Sequence, residues 1–137
     1  METKLETKED VILARVQEKL DEAFEHRLIQ KTDGCREACC ELGSDTAYKY
    51  TILIDPEPND QVREVVSEDA VNAFNYAIHI DKGQPHEITR LGACKRPYTS
   101  YLYARHIDDA ITEQTEASAK RIPSIYKYYQ KYFSEKK

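Results

Sequence analysis

A chain of 137 residues with 20 lysines and arginines, 25 aspartates and glutamates, 40% hydrophobic residues and only four glycines suits a single compact domain with a core of its own, and leaves little for a glycine-rich cofactor site. No stretch approaches the roughly 18 apolar residues of a membrane span, and the charged start Met1-Glu2-Thr3-Lys4-Leu5-Glu6 lacks the apolar region of a signal peptide. A soluble, cytoplasmic protein without membrane contact is therefore expected, its four cysteines reduced.

The net charge of -5 is unevenly spread. Residues 1–69 carry 9 basic and 18 acidic side chains, a balance of -9, and residues 70–137 carry 11 and 7, a balance of +4. Such asymmetry marks either a polar partner at one end or two solvated faces.

In chain order, Thr7-Lys8-Glu9-Asp10 reads as a capping box. The recurrence of Leu13, Val16, Leu20, Ala23, Phe24 and Leu28 at threes and fours predicts one long N-terminal helix within residues 1–33, stopped by Asp33-Gly34. A short helix follows over Cys35 to Leu42, ended by Gly43. Ser44 or Asp45 then caps a helix holding Tyr48 and Tyr50, and Pro56 and Pro58 close it in a turn. Val62, Val65 and Val66 predict another short helix, with Ser67 as cap of the next.

From residue 44 onward the chain repeats itself. Tyr76-Ala77-Ile78-His79-Ile80-Asp81 returns 27 residues later as Tyr103-Ala104-Arg105-His106-Ile107-Asp108, with looser copies at Tyr50-Thr51-Ile52-Leu53-Ile54-Asp55 and at Tyr128-Tyr129-Gln130-Lys131-Tyr132-Phe133. On a helical wheel Ala70, Ala73, Phe74, Tyr76, Ala77 and Ile80 cover an arc of roughly 160° with Ala77 near its centre, wide enough to face neighbours on two sides. Each copy reads as an inner helix, a turn and a short outer helix: Asp81 to Pro85 is a turn, His86 to Cys94 an outer helix, Pro97 a tolerated first-turn proline, Ile111 to Ala119 the next outer helix, and Pro123 the start of the last inner one. Thr51-Ile52-Leu53-Ile54 is β-branched enough for a strand, but its alignment with the other copies favours helix. The fold expected is all-α: a small helical-hairpin repeat array of about four units over 34–133, behind the long N-terminal helix and followed by a disordered tail at 134–137.

The Tyr-x-Tyr-Ala-x-x-Ile inner helix followed by a glycine or proline turn resembles the short helical-hairpin repeats of uncharacterised bacteriophage and giant-virus proteins, over roughly residues 44–133. The resemblance implies a helical array and a phage or mobile-element origin. It brings no catalytic residue.

Three groups of residues invite a chemical reading. His79 and His106 recur in equivalent places, yet His79 stands opposite Ala77 on the wheel and near a helix C-terminus, where a histidine gains from the helix dipole. A structural role on the surface is expected of both. Cys35, Cys39, Cys40 and Cys94 lack the paired Cys-x-x-Cys spacing of a zinc site, and small buried apolar filler is the expectation. The C-terminal segment interleaves rings and cations, and Tyr126, Lys127, Tyr129, Lys131 and Tyr132 are the candidate binding residues. Such a pattern can hold single-stranded nucleic acid, although the acidic chain makes that partner unlikely and a protein is expected instead.

No nucleophile elbow, phosphate loop or metal-helix motif is present, and no cofactor or metal is expected. The reading is a non-enzymatic protein-binding module, monomer or homodimer. The alternative is an acidic inhibitor whose N-terminal half mimics nucleic acid to block a host nucleic-acid-binding protein.

Overall fold

The first capping signal forms as read. In the computed structural model, which describes residues 4–136, the Thr7 hydroxyl accepts from the amide of Asp10 at 3.1 Å and the Asp10 carboxylate accepts from the amide of Thr7 at 3.3 Å. They open helix α1, Lys8–Val16. The described residues form ten α-helices and one π turn, with no strand beyond an isolated bridge of Leu5 with Ile29. Among the described residues no helix is long and apolar enough to cross a membrane. Residues up to Val66 and residues from Ser67 onward form two compact units.

In the first unit the long N-terminal helix does not exist. Helix α1 stops at Val16 and α2 occupies Leu20–Glu25. Both end in a Schellman motif. After α1, the amide of Glu18 bonds to the Arg15 carbonyl at 3.0 Å and that of Lys19 to the Ala14 carbonyl at 2.8 Å. After α2, Arg27 bonds to Phe24 at 3.1 Å and Leu28 to Ala23 at 2.8 Å. The motif needs a left-handed residue, and here it is supplied by Glu18 (φ 59°) and Arg27 (φ 55°). These residues give none of the usual glycine signal.

The break turns the apolar stripe: Leu20, Ala23 and Phe24 are buried, while Leu13 and Val16 are exposed. Asp33 and Gly34, expected as a stop, are the first residues of α3, Asp33–Glu41, capped by Thr32 through the amide of Cys35 at 3.1 Å. Helices α4, Ser44–Leu53, and α5, Asp60–Val66, complete the unit. The core gathers Val11, Leu20, Phe24, Ile29, Cys35, Cys39 and Tyr50. Of the segment 51–54, ambiguous in sequence, residues 51–53 are helix within α4 and Ile54 is its C-cap.

The second unit holds α6, Ala70–His79; α7, Glu87–Ala93; α8, Pro97–Tyr103; the π turn Ala104–Asp108; α9, Glu113–Ala119; and α10, Pro123–Glu135. Asp69, not Ser67, caps α6, accepting from the amide of Asn72 at 2.9 Å. Prolines occupy the starts of α8 and α10. Helix α10 runs through Ser134 and Glu135, past the expected boundary at 133, and Lys136 ion-pairs with Asp109. Lys137 lies outside the described residues.

Helix α8 packs between α6 and α10, and α7 and α9 pack against the row. Tyr101 meets Tyr129 and Arg105 meets Tyr132, partners 28 and 27 residues apart. A near-constant separation along the helices means that α8 and α10 run parallel.

The six-residue stretch has a structural meaning: it ends a helix in a widened turn. The Asp55 amide bonds to the Tyr50 carbonyl at 3.1 Å and the Asp81 amide to the Tyr76 carbonyl at 3.0 Å, five residues on in each case. The third copy forms the π turn itself. One residue further, the carbonyls of Ala77 and Ala104 accept from Gly83 at 2.8 Å and Ala110 at 3.3 Å. The tyrosines of the copies are fully buried, and the fourth is Tyr129 rather than the aligned Tyr128. Tyr103 pairs with Thr89 at 2.8 Å and Tyr129 with Thr115 at 3.0 Å, each hydroxyl 14 residues before its ring.

Candidate functional site

Once the buried positions are assigned, the opposite faces of α6, α8 and α10 follow from helical phase. On α8 the buried Thr99, Ser100, Tyr103 and Ala104 leave Tyr98, Leu102 and Arg105 on the other side. Counting back 27 residues gives Val71, Asn75 and Ile78 on α6. Counting on 26 gives Ser124, Tyr128 and Lys131 on α10. Exposure agrees with the phase: Val71 is 42% exposed, Ile78 36%, Tyr98 56% and Tyr128 62%. Large apolar side chains at this exposure, aligned on adjoining helices, make a strip rather than scattered surface residues.

The strip changes character along its length. Its α6 end is aliphatic, its middle aromatic, and its α10 end basic, through Arg105, Lys127 and Lys131. Arg105 lies over the Tyr132 ring at 4.7 Å and donates to the Tyr101 hydroxyl at 3.1 Å, which holds its guanidinium at the surface in a fixed place. Among the described residues the side chains of Lys127 and Lys131 make no ion pair or hydrogen bond, whereas Lys120 pairs with Glu116 at 3.9 Å and covers the Tyr126 ring at 5.4 Å.

The candidate binding residues read from sequence divide accordingly. Lys127 and Lys131 are exposed and belong to the strip. Tyr126 and Tyr132 are half-buried beneath Lys120 and Arg105. Tyr126 also lines a cleft of ≈ 340 Å³ between α9 and α10, with Ile111, Glu116 and Phe133. Tyr129 is core: its ring packs on Phe133 at 5.0 Å and its hydroxyl is committed to Thr115, so it has no face to offer a ligand. Tyr98, Tyr128 and Val71 were missed because exposure at a single position carries no sequence signal. The 27-residue phase relation would have found them, once Tyr129 was placed inward.

His79 and His106 are exposed, as the wheel has it. The His106 ring lies 6.3 Å from that of Phe74. Cys35, Cys39 and Cys40 are buried in the first unit, and Cys35 donates to the Leu5 carbonyl at 2.8 Å. Burial pushes the Cys39 thiol up to about 12 and that of Cys94 up to about 11. At neutral pH both stay protonated, the state least suited to nucleophilic or metal-binding chemistry. Among the described residues no group of three or more histidines, cysteines, aspartates and glutamates is placed to hold a metal. The half-buried pair Arg90 and Asp108, bonded through both carboxylate oxygens at 2.6 to 3.1 Å, fastens α7 to the π turn and is structural.

Compared with known protein families, with curated proteins and with solved structures, the chain matches none.

Proposed function

We propose that the chain is a non-enzymatic protein-binding module built from short helical-hairpin repeats, a phage or mobile-element accessory protein in origin, whose contact surface is the strip across α6, α8 and α10. The observation that carries this reading is the alignment of Val71, Ile78, Tyr98 and Tyr128, all exposed, on neighbouring helices. Tyrosines suit interfaces because each joins a large rigid ring to a polar tip. Helical arrays offer extended surfaces of this kind, and burial holds the Cys39 and Cys94 thiols protonated, away from the nucleophilic thiolate. The recurrent tyrosine-threonine bonds and widened turns support the repeat reading of the architecture. Affinity capture from the native host tests the function: a protein retained by the native chain should be lost with the double substitution Tyr98→Ala and Tyr128→Ala. Retention indifferent to those side chains would sink the assignment of the surface.

The acidic-inhibitor reading draws on the first unit, where residues 1–66 carry 16 acidic against 9 basic side chains. Several of those carboxylates are already used internally, Asp21 by Lys49 at 2.9 Å, Asp33 by Arg36 at 3.0 Å, Asp60 by Arg63 at 2.6 Å and Glu41 by Lys8. A phosphate mimic needs its carboxylates turned outward and unpaired, which ranks this reading second. Capture of a nucleic-acid enzyme that is reversed by modest salt would reverse the order.

A further inference from the structure

The strip carries more information than its exposure. Helix α6 and α8 contain no lysine, arginine, aspartate or glutamate at all. The π turn and α10 contribute Arg105, Lys127 and Lys131, against Asp108 and Glu135. Asp108 is buried and bound to Arg90, so Glu135, in the last position of α10, is the one exposed acid of the row among the described residues. Acidic side chains stand on the short helices beside the row, Glu87 on α7 and Glu113 and Glu116 on α9, and in the connections, where Glu68 and Asp109 are exposed. In a chain of net charge -5, the charge that the strip itself carries is therefore basic and lies at one end of it. Lys127 and Lys131, one turn apart beside Tyr128, have their charges unmatched within the described residues.

We infer that this strip binds an acidic segment of a partner protein. Its aliphatic side chains lie on Val71 and Ile78, and its carboxylates pair with Arg105, Lys127 and Lys131. This rests on the reading of the strip as a protein-binding surface. Parallel helices pack about 8 to 10 Å apart, so crossing three of them takes about 20 Å, or about six residues of extended chain. Like-charged peptides are repelled at the α10 end, and purely acidic ones find nothing at the α6 end, so both halves of the segment contribute to selection. Single-stranded nucleic acid fits less well, because its phosphates need cations along the whole track and the α6 end offers only aliphatic carbon.

A random 12-residue peptide library displayed against the full-length chain tests this. Enriched sequences should carry an aliphatic cluster separated from a cluster of aspartate or glutamate. Synthesised as labelled peptides, they should bind at least tenfold more weakly to the double variant Lys127→Glu, Lys131→Glu and to Val71→Asp, and without loss to the double variant Lys127→Arg, Lys131→Arg. Binding should also weaken as salt rises from about 50 to about 200 mM, where screening lengths shorten. All these positions are exposed, and circular dichroism checks that each variant is folded. Peptides enriched without acidic bias but lost with Tyr98→Asp overturn the partner's chemistry and leave the protein-binding surface standing. Peptides indifferent to every substitution on the strip, or no enrichment at all, overturn both. Tighter binding of oligothymidylate than of any peptide, abolished by the Lys→Glu pair, assigns the strip to nucleic acid instead.

Discussion

Removing one buried hydroxyl distinguishes the two tyrosine-threonine pairs of the second unit. In Tyr103→Phe the ring remains, and what disappears is an oxygen that donates to the His86 carbonyl at 3.0 Å, accepts from the His86 amide at 3.0 Å, and lies 2.8 Å from the Thr89 hydroxyl. His86 is also the N-cap of α7, its Nδ1 accepting from the amide of Ile88 at 3.1 Å. The substitution therefore leaves a backbone amide without its partner at the start of a helix, and a stranded buried donor costs about 1 to 3 kcal/mol. Tyr129→Phe is the control. It breaks the bond to Thr115 and a backbone interaction with Thr112, but the Thr112 amide keeps Thr115 Oγ1 at 3.4 Å, and the Thr115 hydroxyl keeps Thr112 Oγ1 at 2.8 Å and the Thr112 carbonyl at 3.3 Å, so a net loss of about 0.5 to 1.5 kcal/mol is expected. Urea unfolding followed by far-ultraviolet circular dichroism measures both, with the slope in denaturant unchanged. A double-mutant cycle of Tyr103→Phe with Thr89→Val should give a coupling of at least about 0.5 kcal/mol. Equal losses at Tyr103 and Tyr129, or no coupling to Thr89, would refute the account of the hydroxyl as the pin of α7.

The same measurement settles further points. Ala77 is fully buried among Ala93, Tyr103 and Ile107, so Ala77→Leu should cost about 1 to 3 kcal/mol by overpacking. The position following the last buried tyrosine is the exposed Gln130, where leucine should change stability by less than about 0.5 kcal/mol; equal effects would deny that the row ends there. A Cβ on Gly92 would stand 2.6 Å from the Ser67 carbonyl oxygen and 2.8 Å from Ala73 Cβ, so Gly92→Ala should lower the unfolding temperature despite alanine's better helix propensity; a rise would show that α7 can shift. Glu18→Gly should be neutral or stabilising, since Glu18 holds φ 59° and glycine adopts that conformation without penalty; a loss of about 1 kcal/mol, as for glycine inside a helix, would restore the single long helix. The native state holds the Cys39 and Cys94 protons more tightly than the unfolded chain. Stability should therefore be constant below the ordinary thiol value of about 8.5 and fall as pH rises toward about 11 and about 12, at up to roughly 1.4 kcal/mol per pH unit for each thiol. A flat stability between pH 9 and 11 would mean that these thiols are solvated.

What could be read from the chain was what short-range chemistry dictates. Thr7 with Asp10 needs only a three-residue loop to close its capping box, Pro97 and Pro123 can enter helices only in the first turn, and Pro56 and Pro58 bar α4 from continuing. The all-helical class and the phase of α6 follow from the spacing of Ala70, Ala73, Tyr76 and Ala77. Glu18 and Arg27 mark the first limit. Their left-handed conformations are held by the burial of Leu20, Phe24 and Ile29 around them, and a stripe of apolar residues at threes and fours looks the same whether one helix carries it or two. Tyr128 and Tyr129 mark the second. They are adjacent tyrosines, and alignment preferred the first, but it is Tyr129 that is buried with its hydroxyl on Thr115, and the choice turns the whole of α10 by 100°.

The exposed strip lies beyond that limit. Local sequence by itself determined the helix starts at Thr7, Pro97 and Pro123, the stop before Pro56, and that a tyrosine-led segment recurs, because these depend on backbone geometry and neighbours a few residues away. Only the tertiary structure decided which tyrosine is core, which carbonyl receives each widened turn, and that Val71, Tyr98, Tyr128 and Lys131 share a surface. Those relations join residues about 27 positions apart, and they arise only when burying one face of each helix compels the other to face outward.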